Sequence, residues 1–336
     1  MNSAIFISSG LGNALLLTPL VHALKNAGHK VTAIFNSPFN CENLYANSNL
    51  FDEKVILKTK MEHVLYILKN KNKFDQVYLD YFACTKKNFK VSNRIAQKII
   101  AHGVPDSIDR NKLKHITVVR PSQKLNNAEI NLQLFNDEVR PLNFDLKLKF
   151  NDVTKFNLPK KYIVVQPSAG NNLTPYKIWN IDNWISLIKA NPEEHFVILG
   201  DKNELQLANR ITKENLENTT CLIGLTSLPE VFDILKFAQL YLGHDSGIMH
   251  MAAAVSIPTI TIWGGSNYNL FGYEKVAPNM HKTIAESPNC WPCNSWLNPN
   301  KNRVENPDTC PDFKCLTSIT VKSFNKIFTE FKAKVC

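Results

Sequence analysis

Residues that could do chemistry gather in three places along the 336-residue chain. The densest is His244-Asp245-Ser246-Gly247, set between an apolar run at 240–243 and a small-residue stretch at 248–255. Pro258 then opens a β-branched run at 259–263, which stops at Gly264-Gly265. The pattern is strand, polar turn, helix, strand, a βαβ unit with parallel pairing. In such a unit the turn after the first strand faces the carboxyl edge of the sheet, where ligands bind. The helix that starts there offers free backbone N–H groups and a positive dipole end, which suit a phosphate. Met251-Ala252-Ala253-Ala254 keeps that helix thin enough to pack close to the sheet. A plain N-cap role for Asp245 or Ser246 accounts for the same residues without any ligand.

The second place is Ser9-Gly10-Leu11-Gly12-Asn13, a glycine-rich turn between a strand-like run at 3–8 and a helix-like stretch ending at Lys25. Its two glycines let backbone approach a ligand closely. It falls short of the full dinucleotide-binding fingerprint. The third is a cysteine cluster, Cys290 and Cys293 followed by Cys310 and Cys315. CxxC with two later cysteines is metal-like spacing, although the second pair is loose for a zinc ribbon. A structural zinc or iron site, disulfides and free thiols are all open readings. The polar, proline-punctuated segment 294–308 between the pairs is what a staple would hold.

The elements that must position these groups read as two α/β halves. In the first, strand-like runs at 3–8, 31–35, 55–57 and 76–81 alternate with helical patterns, including a basic amphipathic helix at 61–69. The stretches 93–101 and 124–135 also look helical, flanking a short run at 116–119. A polar segment with a proline, 150–161, marks a boundary. After it, runs at 162–166, 196–199, 221–223 and 240–243 alternate with helices, with turns at Gly170, Gly200, Gly224 and Gly247. Each half is therefore an open sheet with helices on its faces, and two such halves facing across a cleft suit a substrate in two parts. The last helix carries an apolar stripe, Val321, Phe324, Ile327, Phe328 and Phe331, expected to pack as core.

Composition is that of a globular protein, 44% hydrophobic and 20% charged. No apolar run approaches the ~20 residues that span a bilayer. The amino terminus lacks the basic region of a secretory signal, so a cytoplasmic, reducing compartment is expected. Net charge is +10, and residues 54–124 hold sixteen Lys or Arg against five Asp or Glu. That excess is either a solvated basic face or an attraction to something anionic. No zinc-finger, homeodomain or RNA-binding signature accompanies it, so nucleic acid is not the expected partner.

Taken together, GHDSGIMHMAAAVSIPTITIWGGSN, SSGLGNALLLTPLVHALK, YIVVQPSAGNNLTPYKIWNIDNWISLI, FVILGDKNELQLANRI and CLIGLTSLPEVFDILKFAQLYLGHDSG resemble glycosyltransferase family 9, the ADP-heptose:lipopolysaccharide heptosyltransferases. The resemblance runs through most of 3–330 and is strongest over 162–270. It implies a GT-B fold, with an acceptor-binding Rossmann-like domain at 1–155 and a nucleotide-sugar-binding one at 156–320. A carboxyl-terminal helix at 321–336 would pack back on the first domain. It also implies an inverting transferase that takes heptose from ADP-heptose and passes it to a lipopolysaccharide core or other surface glycan. The basic first domain would then hold an anionic glycolipid at the inner face of the cytoplasmic membrane. The other readings are a different donor sugar, a protein acceptor, or a non-catalytic nucleotide-sugar-binding module.

The resemblance also implies roles. Gly12, Ser246, Gly247 and the helix after them would contact the donor, with Asp245 and His250 beside the diphosphate. Lys177 would supply the cation that stabilises the leaving group without a metal. Glu204 would accept hydrogen bonds from the ribose. A surface lysine and a first-turn helix acid are the plain alternatives for Lys177 and Glu204; for His250 it is a histidine satisfied in the packing. Asn13 departs from the family, which usually has the catalytic Asp there, and Asn cannot take up a proton at neutral pH. Either another group such as His22, Asp80 or Asp245 acts as base, or Asn13 only positions the acceptor, or turnover is lost and binding kept.

Overall fold

The computed structural model describes the chain except Gln123, Asp137, Val139, 170–174 and 294–308. The expected turn through Gly170-Asn171-Asn172 and the segment between the cysteine pairs lie outside the described residues. The chain divides into Met1–Lys149 and Phe150–Cys336.

The first unit runs β1 (Asn2–Ile7), α1 (Leu11–Leu15), α2 (Thr18–Asn26), β2 (Lys30–Phe35), β3 (Glu53–Ile56), α3 (Lys60–Lys69), β4 (Phe74–Leu79), α4 (Lys86–Ile95), β5 (Ala96–Ala101), β6 (Ile116–Val118) and α5 (Asn127–Leu132). All pairings in its sheet are parallel, in the order β3-β2-β1-β4-β5-β6. β1 and β2 bury five of their six residues each, as strands covered on both faces must. One expectation fails here. Residues 93–101 are not a helix: α4 stops at Ile95, and Ala96 is extended (φ −125°, ψ 159°). A short apolar run such as AQKIIA does not reveal its period. Pairing with β4 on one side and β6 on the other decides it.

The second unit runs β7 (Ile163–Val165), α6 (Ile181–Lys189), β8 (Phe196–Ile198), α7 (Leu205–Thr212), β9 (Thr219–Cys221), α8 (Leu228–Phe237), β10 (Leu240–His244), α9 (Gly247–Ala254), β11 (Thr259–Trp263), α10 (Tyr268–Phe271), β12 (His281–Ala285), α11 (Lys314–Thr317) and α12 (Val321–Val335). Its sheet is also parallel, in the order β12-β11-β10-β7-β8-β9. Read from its first strand, this is the same order as in the first unit. Such sheets bind ligands beside the first strand, where the chain reverses its direction of travel along the sheet.

Helix α12 carries its apolar stripe as core, as the spacing of its residues implied. Its Phe324, Phe328 and Phe331 are buried in the core of the second unit. The Phe324 ring stacks on Trp179 at 5.4 Å and meets Trp184 edge-on at 5.6 Å. Burying each such side chain contributes about 2 kcal/mol, so the apolar stripe holds the helix where it formed its core.

Candidate functional site

In the second unit the switch point lies between β7 and β10. Their carboxyl ends bring polar residues to one edge: Gln166, Ser168 and, further along the chain, Lys177 after β7, and Asp245, Ser246 and Gly247 after β10. Ser246 is the N-cap of α9: its side chain accepts from the Met249 N–H at 3.3 Å, and Gly247 is the first helical residue. The Ser246 hydroxyl in turn donates to Gln166 Oε1, which also accepts from the Tyr241 hydroxyl at 2.9 Å. The turn is thereby tied to the neighbouring strand. Ser168 Oγ lies buried beside it without a hydrogen-bond partner among the described residues.

Lys177 and Asp245 meet at this edge, Nζ to Oδ2 2.6 Å. Burial works against both charges. The attraction between them outweighs it, holding the Lys177 ammonium above and the Asp245 carboxyl below their ordinary ranges. Lys177 is placed by what stands on either side of it. The Tyr176 carbonyl accepts from the Gly265 N–H at 2.9 Å. A Cβ on Gly264 would stand 1.9 Å from that carbonyl oxygen, so only glycine permits the approach. On the other side the Trp179 N–H donates to His244 Nε2 at 2.9 Å, and the Trp179 indole N–H donates to the Ile319 carbonyl at 2.9 Å.

His244 belongs to the polar turn singled out in the sequence, which by itself gave this residue no role. It is fully buried, and because its Nε2 accepts, its Nδ1 must carry the proton, which it gives to the Ser168 carbonyl at 3.2 Å. Burial pushes its pKa down to about 4, keeping it neutral as that double role requires. His244 thus pins both ends of the turn that carries Lys177. The available signal was a histidine ending an otherwise apolar strand. Gln166 and Tyr241 were missed for want of any signal beyond their strands.

Glu204 is 2% exposed and stands at the end of β8's loop, beside the start of α7. Its Oε2 accepts from the Asp201 N–H at 2.6 Å, closing a capping box. It acts electrostatically on Tyr241, as Asp245 does, so the two carboxylates approach the same phenol. His250 is buried on α9, its Nδ1 2.9 Å from the Tyr273 hydroxyl, and burial lowers its pKa to about 4. The packing reading fits it, and Lys177 is the cation that faces Asp245 at neutral pH.

Gly12 and Asn13 lie half-buried on α1 in the first unit. Of the groups weighed as substitute bases, His22 Nε2 lies 2.7 Å from the Asp145 carbonyl and so carries the proton there. Asp80 follows β4, next to β1 at the first sheet's own switch point. Its Oδ1 accepts from the Ala83 N–H at 2.7 Å, and its Oδ2 is buried without a hydrogen-bond partner among the described residues. Burial raises its pKa to about 7.

Cys290, Cys293, Cys310 and Cys315 line one cavity of about 430 Å³, together with Tyr176 and Gly265. All four are free thiols, and burial, with the other three thiols, pushes Cys315 up to about 12. Among the described residues no three His, Cys, Asp or Glu side chains stand where they could hold one metal ion.

Residues 107–303 match the family described as glycosyltransferase family 9 (heptosyltransferase). Lipopolysaccharide heptosyltransferase 3 of Escherichia coli is 31% identical over 114 residues, a match spanning 32% of this chain and only 33% of that protein. Lipooligosaccharide heptosyltransferase 2 of Campylobacter jejuni is 21% identical over 305 residues, covering 87% of this chain and 89% of the relative. The structure of E. coli ADP-heptose lps heptosyltransferase II aligns with a TM-score of 0.74 at 16% identity over 99% of both chains. That likeness shows the shared fold, GT-B.

Proposed function

Since the chain belongs to glycosyltransferase family 9, the heptosyltransferases, we propose that it moves heptose from ADP-heptose to a lipopolysaccharide-core acceptor, inverting the anomeric centre. The observation that carries this reading is the placing of Lys177 and Asp245 beside the Ser246-capped start of α9, at the switch point of the second sheet. Departure of the nucleoside diphosphate builds negative charge, and fixed donors aimed at that charge stabilise it. The first N–H groups of α9 would face the phosphates. Lys177 has three N–H donors, gives one to Asp245, and keeps two for phosphate oxygens. Glu204, fixed by the Asp201 backbone, would receive the ribose hydroxyls. The likeness to heptosyltransferases, one of them described as using ADP-heptose, supports the donor.

The acceptor hydroxyl must lose a proton, and Asn13 cannot take it. Asp245 is held ionised by Lys177 and is a poor acceptor. Asp80, with one unpartnered oxygen and a pKa near neutrality, is the better match for a general base. A second reading, binding without turnover, rests on Asn13 itself.

The test is transfer of heptose from ADP-heptose to a heptose-deficient core glycolipid, read as ADP release and product anomeric configuration, for the wild type and Asn13→Asp. Turnover by the wild type with inversion is expected. A near-inactive wild type that gains strongly in Asn13→Asp would establish the binding-module reading, and no turnover by either protein would reject the transferase.

A further inference from the structure

Helix α3 turns one face to its own unit and leaves the other exposed among the described residues. On the inner side His63 is buried, and Tyr66 and Ile67 pack against the core cluster of the first sheet. On the outer side Met61, Val64, Leu65 and Leu68 are 72%, 55%, 49% and 73% exposed. Their spacing, i, i+3, i+4 and i+7, puts all four on one stripe of the helix surface. Helices in water normally turn polar residues outward at such positions, so a contiguous apolar stripe there marks a surface meant to be covered.

Cations surround the stripe. Lys60 and Lys69 bound it on α3 itself, and Lys71 follows. Helix α4, which packs alongside α3, exposes Lys86, Lys87, Lys90 and Arg94. None of these seven makes an ion pair among the described residues; the nearby pairs use Lys58, Lys73 and Lys112 instead. The carboxylate of α3, Glu62, is held by the N–H groups of Lys58 and Thr59, both at 2.7 Å, and closes the helix cap.

We infer that α3 is the element by which this protein lies on an anionic lipid surface. The stripe enters the boundary between headgroups and acyl chains, and the lysines on either side lie among the lipid phosphates. An interfacial helix of this kind buries its apolar face about 5–10 Å into that boundary. Neighbouring Lys and Arg add attraction to an anionic leaflet that weakens with salt. The charge argues against a second copy of this chain, since two such faces would set seven cations against seven. It is the combination of apolar stripe and cationic border that selects lipid. No helix among the described residues is long and apolar enough to cross a membrane, so attachment through α3 is peripheral. The inference goes beyond the transfer reaction and needs neither donor nor acceptor.

The experiment is co-sedimentation of the full chain with phosphatidylcholine vesicles, with and without phosphatidylglycerol, in the absence of nucleotide. The wild type sediments with the anionic vesicles, far less with the neutral ones, and is released by salt. Leu65→Gln with Leu68→Gln weakens the binding about tenfold, a modest fraction of what burying two leucines contributes. Lys86→Glu with Lys87→Glu and Lys90→Glu weakens it as well. All the substituted side chains are exposed, so both variants should keep the wild-type melting temperature. Equal binding to both vesicle types, no binding, or wild-type binding by the leucine variant overturns the assignment. So does a dimer that the leucine variant converts to monomer while vesicle binding stays unchanged.

Discussion

The Lys177 ammonium makes its short bond to Asp245 in a place where both side chains are mostly shielded, at 22% and 11% exposure. A buried ion pair contributes little net stability, but removing one partner strands the other charge at a cost of about 3–5 kcal/mol. The pair therefore fixes the ammonium beside the start of α9, and any test of Lys177 has to neutralise Asp245 as well. Asp80 is a different case, a single carboxyl with no ion-pair partner among the described residues to compensate its burial. Its folded pKa of about 7 stands well above the ordinary 3.8. Between these values the folded protein keeps a proton that the unfolded chain has released. Stability therefore falls as pH rises through that window, and the loss is complete above the folded pKa. Asp80→Asn removes the ionisation. At about 1.4 kcal/mol per pKa unit, it is expected to stabilise the protein by a few kcal/mol at pH 8. The gain shrinks as pH falls and is absent at pH values below the unfolded pKa. Denaturant melts across pH check this, and a gain that is flat with pH would contradict it.

At the scale of elements, the turn that carries Lys177 is strapped to β11 by glycine and to β10 by histidine. A methyl group on Gly264 collides with backbone, not with a side chain that could rotate away. Gly264→Ala is therefore expected to cost about 1–3 kcal/mol, the usual range for overpacking. It should also weaken nucleotide binding by displacing Tyr176 and Lys177. Unchanged melting and unchanged binding would show that the close approach is not needed. The same scale shows what the residues could reveal by themselves. β10, α9 and β11 were legible because an apolar run, a small-residue helix and a β-branched run follow one another with sharp polar breaks. α4 and β5 were not. They join at Ile95 without glycine or proline, and the strand carries Gln97 and Lys98, so no local signal marks the change from helix to strand.

Across the whole chain, both units repeat one strand order, and each brings polar residues to the carboxyl edge beside its first strand. The alternation of strands and helices made that architecture readable, as did the family resemblance. Long-range packing was less so. The stripe on α12 said that the helix is buried, but only Trp179 and Trp184 decide against which core. The candidate site was legible at Lys177, Asp245 and Ser246, where residue type and turn position coincide. It was illegible at Gln166, Tyr241 and His244, whose roles exist only once β7 and β10 lie side by side.

The central claim is that a nucleoside diphosphate docks at the start of α9 and is held by Lys177. Calorimetric titration of the intact chain with ADP, comparing the wild type with Lys177→Met combined with Asp245→Asn, tests it most directly. The paired change leaves no stranded charge, so the fold should persist with a melting temperature close to that of the wild type. Loss of a charge-assisted bond to phosphate, worth about 1.5–3 kcal/mol, predicts at least tenfold weaker ADP binding in the variant. A folded variant that binds ADP as tightly as the wild type, or a wild type that does not bind ADP at all, would contradict the account.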